Sequence, residues 1–197
     1  MPLKVNEQSP EVAAQNQVYT IVEDVLSGTM RMRLKSAEYL PKRLREDSQD
    51  YVKRVNAAVL FGGTSATLDA LVGRAFADPI EIEGVPPWFV PIADNIDSRG
   101  KRLGVWAEEW LRLGMTHGQA WALVDTPADI AGLSKAEQAG KTPYAVAVSA
   151  RSVLGWVYEG AQLVQLRMMW TRQEREQFGA VDIPQVACMT LKMALCF

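Results

Sequence analysis

The chain has 197 residues, with 21 Lys and Arg, 23 Asp and Glu, one His and two Cys; 48 % of residues are apolar, 22 % are charged, and the formal net charge is −2. A chain of this length reads as one domain or one plus a fragment, and it can bury roughly 70 % of its unfolded surface without metal or disulfide staples. This balance excludes a wholly disordered chain, and the near-neutral charge excludes a generally basic nucleic-acid binder while leaving room for a local basic face.

No run of 18 apolar residues occurs, so no transmembrane helix is expected. The stretch MPLKVNEQSPEV lacks a signal-peptide core, and neither end carries a lipidation signal. No membrane partner is expected. Only two cysteines occur, Cys188 and Cys196, close together near the end, so no disulfide framework is expected and a reducing compartment fits better.

In chain order, residues 1–9 are polar and read as a flexible N-terminus, and 10–118 as a mainly helical portion. Ser9-Pro10-Glu11 is a helix start: a capping hydroxyl, a proline in the first turn and an acid at the positive end. Val18, Ile21, Val22, Val25 and Leu26 then form one apolar stripe, and Gly28 is the expected stop. Tyr39-Leu40-Pro41 breaks any helix over 30–54. A second helix starts near Asp47/Ser48 and carries Val52, Val55 and Val59. Gly62-Gly63 interrupts it, and a short third helix with Leu68, Leu71 and Val72 ends at Gly73. Residues 77–100 are turn-rich, with Ile80 and Ile82 alternating with Glu81 and Glu83 as a short edge strand. Leu103, Trp106, Trp110 and Leu113 recur at helical spacing.

After Gly118 the pattern turns to β, and residues 119–186 form the β-rich portion. Ala120–Val124, Tyr144–Val148, Leu154–Tyr158 and Leu163–Trp170 read as strands, 128–142 as a polar loop and Thr171–Gln177 as a charged connection. Helices first and strands later give an α+β class, N-terminal helices followed by a mainly antiparallel β region.

A search for chemistry returns no catalytic, metal or cofactor residues. His117, the lone histidine, reads as a cation or donor near a helix C-terminus with no evident partner. One His and two clustered Cys assemble no zinc spacing, and no phosphate-loop motif occurs. Gly62-Gly63-Thr64-Ser65 reads as a helix joint before an anion cradle. Asp97-Ser98-Arg99-Gly100 reads as a turn, since the spaced acids of a calcium loop are missing. Trp106 and Trp110 read as core or interface anchors and Trp88 as an interface residue. Arg31, Arg33, Lys35, Lys42, Arg43 and Arg45 form a basic run that can meet DNA phosphates or pair with acids nearby.

A string of short motifs runs through the chain: Gly28-Thr29, Tyr39-Leu40-Pro41-Lys42, Tyr51 with Arg54, Thr67-Leu68-Asp69-Ala70-Leu71-Val72-Gly73 with Phe76, Asn95-Ile96-Asp97 with Gly100, Gly118, Val124-Asp125-Thr126-Pro127, Pro143-Tyr144 and Trp156. In order and spacing, over roughly residues 15–180, it resembles the portal-like protein family of tailed bacteriophages, otherwise labelled a domain of unknown function. The resemblance implies a structural subunit of a ring of about twelve copies at one capsid vertex. DNA passes through such a ring non-specifically, and terminase, capsid and head-completion or tail proteins dock to it. It implies a non-enzymatic protein, made in the bacterial host cytoplasm and carried in the virion, with this chain corresponding to the outer wing.

Members of that family are more than twice as long, with channel-lining helices further on. Residues 187–197 hold both cysteines and no family-like pattern, and are expected to be a frameshifted tail. A parent reading Gln-Val-Arg-Val-Tyr-Asp-Leu-Glu-Asp-Gly, spelled CAA GTC CGC GTG TAT GAC CTT GAA GAT GGC, becomes on loss of one C the sequence CAA GTC GCG TGT ATG ACC TTG AAG ATG GC. That encodes Gln185 to Ala194 as they stand here. The expectation is an N-terminal fragment of a longer portal protein; a stand-alone phage or prophage adaptor is the alternative.

Overall fold

The computed structural model describes residues 3–126, 142–176 and 179–190, which run from helices into strands, an α+β arrangement. Residues fall into two compact units, Met1–Tyr19 with Ser149–Phe197, and Thr20–Val148. Helix α1 (Pro10–Leu26) begins in the first and ends in the second. Its start follows the sequence, with the amide of Val12 donating to Ser9 Oγ at 3.4 Å.

The inward face of α1 differs from the expected stripe. Val18 and Ile21 are 59 % and 51 % exposed, whereas Val12, Tyr19 and Asp24 are buried. A charged cluster around Asp24 decides which side of the C-terminal half turns inward, and apolar spacing does not encode that. Gly28, at φ +75°, then turns the chain into α2 (Gly28–Leu34) and α3 (Ser36–Tyr39), which end at the expected break.

Helix α4 (Ser48–Ala57) is capped by the Asp47 carboxylate, which accepts from the amide of Gln49 at 2.7 Å. Of its expected apolar face only Val55 is buried; Val52 is exposed and Val59 lies beyond the helix end. Helix α5 (Gly63–Ala75) runs through Gly73 instead of stopping there. An interior glycine weakens a helix by about 1 kcal/mol but does not end it unless the chain needs a positive φ. Ile80 and Ile82 form no strand and stay partly exposed, since alternation supplies no hydrogen-bonding partner. Helix α6 (Val90–Asp94), with Pro91 in its first turn, was not foreseen.

Helix α7 (Leu103–His117) matches its predicted spacing and ends at Gly118, φ +72°. Trp106 packs with Ile92, Ile96 and Ala145 as a small core, surrounded by Phe89, Leu103, Ala107 and Ala147. Strands β1 (Ala120–Asp125) and β2 (Tyr144–Ser149) pair as a two-stranded sheet. The loop expected over 128–142 lies outside the described residues except for Thr142.

In the other unit, β3 (Val153–Glu159), β4 (Gln162–Glu176) and β5 (Gly179–Thr190) form an antiparallel meander. Its buried residues include Val12, Ala150, Val153, Leu154, Leu166 and Met168. The charged stretch expected as a connection after Trp170 is the outer half of β4 through Glu176, paired with Gly179–Pro184 of β5. Polar residues on both faces hid this ribbon, because its order comes from the ladder and not from a buried face. Pairing continues beyond Val186, with Ala187 opposite Met168, Cys188 opposite Arg167 and Met189 opposite Leu166.

Residues 4–9 are fastened to this sheet. The amide of Ser9 donates to the Leu154 carbonyl at 2.7 Å, and Arg167 Nη1 donates to the carbonyls of Lys4 and Glu7 at 2.9 and 3.0 Å. A Cβ on Gly155 would stand 2.7 Å from Arg167 Nη2. Gly155→Ala is therefore expected to push the guanidinium off those carbonyls. Amide exchange over residues 4–8 should accelerate about tenfold, as for loss of one charge-assisted hydrogen bond, while exchange in β4 stays unchanged. Equal protection of residues 4–8 in both proteins would contradict this.

Candidate functional site

The basic run does not form one face. Arg31 Nε donates to Asp24 Oδ1 at 2.7 Å, Lys35 pairs with Oδ2, and the Tyr39 hydroxyl donates to Oδ2 at 2.6 Å. Asp24 is 4 % exposed. These donors, Lys35 foremost, then Tyr39 and Arg31, hold its carboxyl well below the ordinary carboxylate range. The same contact pushes the Tyr39 hydroxyl up to about 12. Arg31 and Lys35 are thus brought together on one buried anion. Arg33 is spent elsewhere, its Nε donating to the Ala58 carbonyl at 3.1 Å.

Lys42, Arg43 and Arg45 share the loop between α3 and α4, and all three are exposed. Lys42 Nζ donates to Ser48 Oγ at 2.9 Å. The loop is clamped by Arg54, whose Nε and Nη2 reach Glu46 Oε1 and Oε2 at 2.7 and 2.8 Å while Nη2 also donates to the Pro41 carbonyl at 3.0 Å. Arg54 lies over the Tyr51 ring at 5.4 Å. Arg54, then the backbone N–H of Arg43, brings the Glu46 carboxyl down to about 2. Leu44, at the tip, is fully exposed.

The three tryptophans separate. Trp106 is a core residue, stacked on Trp110 with centroids 5.8 Å apart. Trp110 is 39 % exposed. Trp88 is 65 % exposed and meets Phe89 edge-on at 6.0 Å. Trp88 and Trp110 therefore offer surface, and Trp106 does not. His117 has the partner its sequence context did not reveal: it is buried, with Nε2 2.9 Å from Glu23 Oε1. Sequence reasoning also missed the Asp24 hub. No helical spacing announces it, because its donors come from separate elements after the Gly28 turn: Arg31 from α2, Lys35 from the joint between α2 and α3, and Tyr39 from α3.

Several motif residues noted above fasten one another. The amide of Leu60 donates to Thr29 Oγ1 at 3.1 Å. Asn95 Oδ1 accepts from the amide of Gly100 at 2.6 Å, and Asp97 Oδ1 from those of Arg99 and Lys101 at 2.9 and 3.0 Å. The last two bonds draw the Asp97 carboxyl downward against its burial. The Tyr144 hydroxyl donates to Asp125 Oδ2 at 3.3 Å. Ser65 Oγ donates to the Leu26 carbonyl at 3.3 Å, so the Gly62-Gly63 segment is a joint between helices.

Among the described residues, no three of His, Cys, Asp and Glu are placed to hold a metal ion, and no helix is long and apolar enough to cross a membrane. Among the described residues, large apolar side chains are more often exposed than buried: 26 are exposed, against 14 buried apolar residues. Across the Thr20–Val148 unit these include Leu34, Leu44, Val59, Phe61, Ile80, Ile82, Trp88 and Val105. That surface can associate with other protein, and its fasteners can hold shape. No protein-family model matches this chain, and no curated protein matches it either.

Proposed function

We propose that the chain is an assembly subunit, the N-terminal wing part of a phage portal-like ring through which DNA is packaged and ejected. The observation that carries the reading is the excess of exposed over buried large apolar residues, a surface suited to burial between subunits. The motif string that resembles the portal-like family narrows this to a portal, and its residues act as structural fasteners. In the ring, DNA passes as a charged rod without base readout, while terminase, capsid and head-completion or tail proteins dock outside. Arg31 and Lys35, committed to Asp24, are poor candidates for phosphate contact. The protein works in the virion, after synthesis in the bacterial host cytoplasm.

The test is the frame-restored protein. One base is inserted so that the alternative frame continues past Val186, and the purified product is imaged by negative-stain electron microscopy. Closed rings are expected. A monodisperse monomer would overturn the ring reading and leave an adaptor that uses Trp88 and Trp110 as its surface.

A further inference from the structure

Within the Thr20–Val148 unit two features are complementary in polarity and charge. The first is the loop tip: Leu44, fully exposed, flanked by Lys42, Arg43 and Arg45. The tip is presented, not floppy, because Arg54 clamps both Pro41 and Glu46, and Glu46 Oε2 accepts from the amide of Arg43 at 3.0 Å. Among the described residues, neither the Arg43 nor the Arg45 guanidinium is in an ion pair or hydrogen bond. Of the two acids that follow Arg45, Glu46 is taken by Arg54 and Asp47 caps α4.

The second feature is an open cavity of about 450 Å³ where the end of α5, the 78–82 segment, α6 and the start of α7 meet. Its apolar wall includes Ile80, Leu103 and Val105, and Asp78, Asp94 and Glu108 line it as well, against a single cation, Arg102. Ile80 and Val105 are 43 % and 58 % exposed. The volume holds a leucine side chain with room for its flanking residues.

We propose that these are the two halves of one contact between copies of this chain. Leu44 of one copy seats in the 78–108 cavity of the next, and Arg43 and Arg45 pair with its acidic rim. The inference rests on the ring-subunit reading and names the contact that reading requires. Knob and socket are different patches, so the contact is head-to-tail. Contacts of this kind close into rings or run on as filaments, whereas a two-fold contact stops at a dimer. The rim charges set register and partner choice, and the buried leucine supplies the apolar contact.

The experiment is sedimentation velocity of the 197-residue chain over a concentration series, with thermal melts confirming that each variant folds. The wild-type chain is expected to self-associate. Leu44→Ser, at a position with no packing to lose, should weaken association about tenfold or more. Arg43→Glu with Arg45→Glu (broken knob) and Asp94→Lys with Glu108→Lys (broken socket) should each do the same. In a mixture of the last two, the native knob meets the native socket and the reversed knob meets the reversed socket, so the mixture should regain the association that neither variant shows alone. All four reversals in one chain should restore self-association. A wild-type chain that stays monomeric throughout overturns the contact. So does association insensitive to Leu44→Ser and to the loop reversal, or a mixture that stays as unassociated as either variant alone. The ring reading itself stands or falls separately, on the images of the frame-restored protein.

Discussion

Truncating Leu154 to alanine is expected to destabilise the Met1–Tyr19/Ser149–Phe197 unit by about 2–5 kcal/mol, the range for a buried leucine whose surroundings cannot fully collapse. Leu154 is 1 % exposed and lies between Val153 and Gly155, both buried, with Met168 and Leu166 buried on the neighbouring strand. Its carbonyl also accepts from the amide of Ser9, so a shift of the strand loosens the start of α1. The buried set of this unit is small, and few neighbours can move in to fill the space. In urea unfolding followed by tryptophan fluorescence, the midpoint should fall with little change of slope. Val157→Ala, three residues on and 46 % exposed, should stay within about 0.5 kcal/mol of wild type. Equal midpoints for Leu154→Ala and Val157→Ala would contradict this core.

The second large effect concerns Asp24. Its carboxylate is the shared acceptor of Lys35, Tyr39 and Arg31, so Asp24→Asn removes the negative charge all three answer. The melting temperature at neutral pH should drop by several degrees, and the pH profile should change shape. Because the folded carboxyl is held below its unfolded value of about 3.9, its contribution is complete above that pH and is lost as pH falls through the folded value. Glu46, folded at about 2, adds to the same acid limb. Tyr39 acts in the opposite direction. Its folded value of about 12 lies above the ordinary 10.0, so its contribution is complete below pH 10 and is lost as pH rises toward 12. Asp24→Asn should therefore flatten both limbs, whereas Glu46→Gln should flatten only the acid one. Melting temperature measured from pH 2 to 12 decides it: an Asp24→Asn profile parallel to wild type would show that the cluster does not set the limbs.

How far the sequence reveals this architecture depends on what fixes each element. Helix α7 was legible because Leu103, Trp106 and Trp110 share a face that packs or stacks, and Trp106 does enter the core. Strands β2 and β3 were legible for the same reason, with Ala145, Val153 and Leu154 buried. The inward side of α1 was not, because a buried carboxylate and its cations choose it over Val18 and Ile21. The outer β4–β5 ribbon was not either, since Thr171–Glu174 and Gly179–Pro184 are all exposed and backbone pairing defines it. Helix α6, five residues long, is too short for periodicity to show. In the site, the sequence singled out the tryptophans and basic residues but not their separation. Trp106 went to the core, Arg31 and Lys35 to Asp24, and Arg43 and Arg45 to a loop whose leucine drew no notice because exposed leucines carry no periodic signal.

The portal account is tested most directly in the coding DNA. Sequencing runs from the codon for Ala180 to about 900 bases beyond the stop, a length set by the size of one or two further domains. The account predicts that the alternative frame past Val186 stays open and encodes long helices with a channel-lining pattern. A frame that closes at once would contradict it.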